Sequence, residues 1–383
     1  MIPNINLFLF CALPIIVFGD ELMLVQTLFR HGDRTPTGTY PKDPYQEDSW
    51  PFSWGQLTVL GMKQHFEQGM KLRDRYTIEY PFMPTDYKDY NVYVRSTDYN
   101  RTLMSAYAHL AGFYMDSNST HPEDGHWPNR WTPVPVHTVD VDTDDLLSTD
   151  AHCPRRTEIH ESRKHAASFQ SFMSTQKPLL EQISKSSGID TDYYESYSDF
   201  SSFYGSTLIE KIYNKTVPSW ITDNLWETFC NGKWMADDYL DGSDHFGQGS
   251  STEMIKLTSG VLLKTMIDNM RRTVYHESKV KFYMYSAHDT TVASFLRALE
   301  AKDEVLGIKL PEYAATLILE LWKKSDGHHY VRVLYIKDVA SDPVVITPFI
   351  DGCKDEFCWR DDFDARSEPF MSQDIKTECQ KKQ

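Results

Sequence analysis

The run Leu22-Met23-Leu24-Val25-Gln26-Thr27-Leu28-Phe29 ends directly in Arg30-His31-Gly32-Asp33-Arg34-Thr35-Pro36. An apolar run of that length, bounded by a glycine and a proline, predicts a buried strand. It presents two fixed cations and an imidazole at the strand's end, the edge of an α/β sheet where ligands bind. Guanidinium forks match phosphate oxygens bidentately, and an imidazole between them is set to attack phosphorus. A bare Arg-His pair usually marks a solvated basic turn. Seven specified residues in this position favour a site.

The 383 residues suffice for one large domain or two ordinary ones, with 40% hydrophobic and 25% charged residues as in globular proteins. A net charge of −16 argues against a nucleic-acid partner and against an electrostatic hold on anionic membranes. Any phosphate-handling site must therefore concentrate its cations locally. Residues 1–19 read as a removed signal peptide: Ile5 to Phe18 is apolar apart from Asn6 and Pro14, and small Gly19 precedes Asp20. A membrane anchor needs about 20 apolar residues, and the polar end Thr377–Gln383 offers no second span, so no membrane anchor is expected.

Along the chain, strands are expected at Leu22–Phe29, Asn91–Arg95 and Val280–Ala287, with a hairpin of Thr316–Trp322 and Tyr330–Ile336 around Asp326-Gly327. Helices are expected over Thr58–Tyr76, Thr97–Gly112, Glu158–Met173, Ser219–Tyr239 and Thr252–Val274. Asp241–Ser250 reads as a flexible hinge. This predicts an α/β fold, a mixed, mainly parallel sheet flanked by helices, with an inserted α-helical cap. The core takes residues 20–153 and 251–383, and the cap 154–250.

The signature at 30–36 resembles that of the histidine acid phosphatases, the second branch of the histidine phosphatase superfamily. Four further stretches support the resemblance: Trp54-Gly55-Gln56-Leu57-Thr58 with Gly61-Met62; Val92-Tyr93-Val94-Arg95-Ser96-Thr97-Asp98; Pro135-Val136-His137-Thr138; and Tyr285-Ser286-Ala287-His288-Asp289-Thr290-Thr291. The nearest likeness is to the animal prostatic and lysosomal acid phosphatases. The resemblance implies that Arg30, Arg34, Arg95 and His288 bind the phosphate, that His31 is the nucleophile, and that Asp289 donates the proton to the departing alkoxide. The nucleophile must be a neutral ring whose other nitrogen is held, with a nearby backbone carbonyl as candidate acceptor. An aspartate ionises near pH 4, so phosphate nearby or burial must hold its proton, which points to an acidic optimum. Taken singly, Arg95, His31 or the His288-Asp289 pair would each be structural more often than catalytic. Arg101 reads as a structural ion-pair partner, and Asp33 either tunes Arg34 or caps its turn.

The resemblance also pairs Cys153 with Cys379 and Cys353 with Cys358, which leaves Cys230 as a buried free thiol or an intermolecular bridge. It places Trp131 and His137 at a two-fold interface, so a homodimer is expected. Neither cofactor nor metal is implied: His121, His126, His328 and His329 lie in polar loops without a carboxylate frame. Sequons mark Asn118 and Asn214 for glycans; Asn100, on a helix expected to be packed, should carry one less often. The expectation is a secreted or lysosomal acid phosphatase acting on phosphomonoesters through a phosphohistidine. Two alternatives are a phytase-like inositol phosphate phosphatase, which would want extra cations in the cap, and an inactive relative that only binds phosphorylated ligands.

Overall fold

A computed structural model of the chain describes residues 19–128, 130–190 and 197–382. The predicted signal peptide therefore falls, but for Gly19, outside the described residues. Seven strands are found among them: β1 (Glu21–Arg30), β2 (Val92–Ser96), β3 (Phe282–Ala287), β4 (Thr316–Lys323), β5 (His329–Ile336), β6 (Val344–Val345) and β7 (Cys358–Trp359). They form one mixed sheet in the order β2-β3-β1-β4-β5-β6, with β7 also on β5. The β2-β3 and β3-β1 pairs are parallel; the β1-β4 pair and the predicted hairpin β4-β5 are antiparallel.

The helices are α1 (Val59–Arg73), α2 (Asn100–Phe113), α3 (Pro154–Lys164), α4 (Ala167–Ser187), α5 (Ser201–Ile212), α6 (Asp223–Leu240), α7 (Thr252–Val274), α8 (Asp289–Ala298), α9 (Lys302–Leu306), α10 (Arg360–Ser367) and α11 (Ile375–Glu378). Both faces of β1 and β4 are covered, so their apolar residues alternate between two cores. Leu24, Leu28, Leu317, Leu319 and Leu321 pack with Leu262, Met266 and Phe295 of α7 and α8. Val25, Phe29, Ile318 and Trp322 face the other way, into a core that includes Leu72 of α1 and Leu110 and Phe113 of α2. The sheet is thus sandwiched between two helical layers.

Helices α3 to α6 occupy residues 154–240 and supply a separate aromatic core built on Phe169, Phe200, Phe203 and Phe229. Tyr40, from the loop after β1, is buried within it. The helix predicted over Glu158–Met173 is in fact two. Ala166 is extended (φ −62°, ψ 135°), while the side chains of His165 and Gln170 reach back to the carbonyls of Glu161 and Lys164 at 2.8 and 2.7 Å, so the break leaves those groups satisfied. The segment read as a hinge is anchored: Asp238 accepts from Ser243 Oγ and His245 Nε2, each at 2.9 Å, and pairs with Arg297 and Lys302 at 2.6 Å.

Both expected disulfides are present. Cys153–Cys379 ties the start of α3 to the chain's end, and Cys353–Cys358 closes a short loop. Cys230 is free and buried on α6, and burial pushes its thiol up to about 12. No helix of the described residues is long and apolar enough to cross a membrane.

Candidate active site

The C-terminal ends of three adjacent parallel strands, β2, β3 and β1, deliver the chemistry. Arg30 is the last residue of β1, and His31 continues the pairing by donating its backbone N–H to Ala287 O at 3.0 Å. The loop that follows turns tightly because glycine meets glycine. A Cβ on Gly32 would overlap the backbone of Gly61, and one on Gly61 would overlap that of Asp33. This close approach seats the N-terminus of α1 on the signature, and it explains the Gly61-Met62 element. Thr58 caps α1 by accepting from Gly61 N at 3.1 Å.

His31 is 2% exposed. Its Nδ1 lies 2.8 Å from Gly32 O; a carbonyl only accepts, so Nδ1 carries the hydrogen and Nε2 keeps a free lone pair. Burial first, then Arg30, His288, Arg101 and Arg34, hold its pKa well below the ordinary histidine value. Both causes favour the neutral ring, the form in which an imidazole can act as a nucleophile.

Arg30 is 8% exposed. It donates from Nη1 to Pro311 O at 2.5 Å, pairs with Asp289 Oδ2 at 2.9 Å, and stacks 4.1 Å over Tyr313. Arg34 donates to Thr35 O at 3.0 Å and has no ion pair among the described residues. His288 occupies the position before α8 without a side-chain bond to the helix, and its Nε2 lies 3.0 Å from Thr97 Oγ1. That hydroxyl already donates to Thr102 at 2.9 Å, so His288 is the donor and its Nδ1 faces Arg101 Nη2 at 3.5 Å. Burial, then Arg101, bring the His288 pKa down to about 3. Asp289, the first residue of α8, is 23% exposed in its side chain. Burial raises its pKa, but Arg30, Arg34 and His288 outweigh that and hold it below the usual carboxylate value.

Arg95 is a correction. It is the last residue of the expected strand and the penultimate residue of β2, 5% exposed. Its Nη2 pairs with buried Asp144 at 2.9 Å and its Nη1 donates to Ser96 O, so its charge is already matched. The third site arginine is Arg101, read from sequence as a structural partner. Thr97 N–H still bonds Ser286 O at 3.1 Å, which extends the sheet and delays the start of α2 to Asn100. The first turn of α2 then brings Arg101 over the sheet edge, 4.5 Å above the Tyr99 ring and beside His288. Burial first and then the nearby Arg34 depress its pKa to about 10, against the pull of Tyr99 and Asp289, and Arg101 makes no ion pair among the described residues. Tyr313 and Tyr213 were also missed. Both reach the site from distant segments, and no local motif announces them.

Trp131 is half-buried and stacks on Trp127 (centroids 5.6 Å apart); His137 is exposed and stacks on Tyr93 at 5.1 Å. Asn118 and Asn214 are exposed, and so is Asn100, which opens α2 rather than packing within it.

This arrangement, a neutral imidazole among crowded arginines with a carboxyl at its side, defines a phosphoryl-transfer site on an α/β sheet. The family model of the histidine phosphatase superfamily (branch 2) matches residues 21–336, and the chain belongs to that family. It is 35% identical over 366 residues to the prostatic acid phosphatase of Mus musculus, covering 94% of this chain and 90% of that one. It is 32% identical over 386 residues to the lysosomal acid phosphatase of Xenopus laevis (99% and 83%). The apo phytase of Hafnia alvei superposes with a TM-score of 0.64 at 17% identity, covering 95% of this chain and 99% of that one, a likeness of fold alone.

Proposed function

We propose that this chain hydrolyses phosphomonoesters at acid pH through a phosphohistidine at His31, with Arg30, Arg34 and Arg101 binding the phosphate. The observation that carries this reading is the electrostatic imbalance of the site. Three guanidinium groups converge on a neutral imidazole, and among the described residues its Nε2 has no partner and only Asp289 balances the arginines as an ion pair. A phosphate dianion relieves that crowding, and its transfer spreads charge over oxygens that the arginines already face. His31 Nε2 attacks phosphorus, the bond to the ester oxygen breaks, and Asp289 gives that oxygen its proton. Water then attacks the phosphohistidine, Asp289 takes a proton from it, and inorganic phosphate leaves while His31 returns to its neutral form.

Family membership and relatives named acid phosphatases support this substrate class over phytate, since the phytase likeness bears on the fold. We also propose that residues 1–19 direct secretion or lysosomal delivery, that Asn118, Asn214 and Asn100 carry glycans, and that 154–250 acts as a cap that selects substrates. The aromatic face at half-buried Trp131 and exposed His137 is proposed to pair two copies. The test is trapping with labelled substrate. A phosphoprotein that is acid-labile and base-stable should form in the wild type and vanish in His31→Ala; label on serine or aspartate overturns the assignment. A panel of aryl, alkyl and inositol phosphates at several pH values separates the acid phosphatase from the phytase reading.

A further inference from the structure

Asp33 sits in the signature between two arginines and is fully buried. A carboxylate so placed has every electrostatic reason to close onto the neighbouring guanidinium. Arg34 nevertheless makes no ion pair among the described residues, and its Nε is buried without a partner. Two hydroxyls hold the carboxylate instead. Thr58 Oγ1 and Tyr213 Oη each donate to Asp33 Oδ2 at 2.5 Å, while Oδ1 is buried with no partner. Thr58 belongs to the cap of α1. Tyr213 is the residue that ends α5, in the helical segment, and is braced edge-on by Trp50 with ring centroids 5.7 Å apart.

We propose that Tyr213 is a positioning residue for phosphate binding: its hydroxyl keeps the Asp33 carboxylate off Arg34, so that the guanidinium stays free for substrate. The inference rests on the phosphatase reading above. Without the Tyr213 hydroxyl, Asp33 retains a single donor for two buried oxygens, and an unsatisfied buried carboxylate seeks the nearest cation. Arg34 is that cation: it follows Asp33 in the chain and acts on it electrostatically more strongly than Arg30 does. An Asp33–Arg34 pair would occupy N–H groups that phosphate needs and cancel one of the site's charges. The competence of the signature loop thus depends on a residue about 180 positions away, supplied by the helical segment once it is docked.

The test is a double-mutant cycle in the full secreted chain: Y213F, D33N and the pair, read by the Ki of inorganic phosphate, by KM and kcat for nitrophenyl phosphate, and by Tm. Loss of a hydrogen bond to a charged group predicts that Y213F raises Ki and KM about tenfold, while kcat changes by about threefold or less. An amide at position 33 has no charge to release, so in the D33N background the same change should alter Ki by about twofold or less. Equal losses in both backgrounds, or an unchanged Ki in Y213F, overturn the proposal. Should D33N not fold, the split in Y213F alone decides, because a fall in kcat at constant Ki also overturns it. If the wild type hydrolyses no ester, the phosphatase reading fails, yet calorimetric titration with inorganic phosphate still tests Tyr213.

Discussion

Glu210 should make the fold lose stability as pH rises, and its removal should abolish that loss. The residue lies on α5, fully buried, and its carboxyl group meets that of Asp43 and has no other hydrogen-bond partner among the described residues. Burial, then the adjacent Asp43, push its pKa from 4.5 up to about 8; Lys215, just past the helix, pulls weakly the other way. Tyr40 shares the cluster from the loop after β1, and Asp43 is occupied by Thr39 Oγ1 and by Tyr45 N–H at 2.8 Å. Above pH 4.5 the unfolded chain releases a proton that the folded protein keeps. The resulting stabilisation is complete below 4.5 and is lost as pH climbs toward 8. At about 1.4 kcal/mol per unit, a shift of this size sets a ceiling of roughly 5 kcal/mol. The proton belongs to the Glu210/Asp43 pair and the pocket relaxes around an anion, so about 2–3 kcal/mol is the expected change. The assay is urea denaturation of wild type and E210Q at pH 5, 6.5 and 8. Other groups titrate in both proteins, so the difference between them is what counts. It should grow in favour of E210Q by that amount from pH 5 to pH 8. Parallel curves would refute the reasoning.

Arginines 95 and 101 should behave oppositely. R101A should cut kcat/KM by about a hundredfold with little change in Tm, since it removes charge from the site. R95A should strand buried Asp144 and cost about 3–5 kcal/mol of stability; steady-state kinetics and thermal melts separate the two. Asp289→Asn should slow alkyl phosphates by about a hundred- to ten-thousand-fold and nitrophenyl phosphate much less, because only a poor leaving group needs the proton. Equal losses would assign Asp289 to positioning instead. Cys379→Ser opens a bridge spanning 226 residues, worth roughly 5 kcal/mol in the chain-entropy model, so a clear drop in Tm is expected by calorimetry.

What the sequence made legible follows periodicity and local motif. The run into Arg30 alternates between two apolar faces and emerges as β1; the two runs flanking Asp326-Gly327 emerge as the β4-β5 hairpin. His31, Arg34, His288 and Asp289 all lie just past the ends of two adjacent strands, so local pattern alone places them near one another. Arg95 was favoured over Arg101 because it closes the expected strand, whereas Asp144, which claims it, lies 49 residues on, and Arg101 reaches the sheet edge because α2 begins at Asn100 rather than Thr97. The split between α3 and α4 carries no glycine or proline signal; side chains reaching across the break stabilise it. Tyr213 and Tyr313 were invisible for a further reason. Their roles come from contacts across 180 and 283 positions, to Asp33 and Arg30 respectively, which no window along the chain contains.

Acid chemistry at this site also calls for an account of Asp289, because in the free protein its partnership with Arg30 favours the ionised form. A general acid that starts ionised would be idle at neutral pH. Bound phosphate changes the balance: its two charges fall on the same arginines that depress the carboxyl, so their pull on Asp289 is spent on substrate, while burial, which raises its pKa, remains. The proton is thus held more tightly in the complex than in the free protein. A pH profile of kcat reports groups in the complex, and one of kcat/KM reports free groups. The limb on which kcat falls with rising pH should therefore lie at higher pH than the corresponding limb of kcat/KM, and it should flatten in Asp289→Asn. Coincident limbs would mean that substrate leaves Asp289 as acidic as it found it, and the proton would have to come from water or from the ester itself.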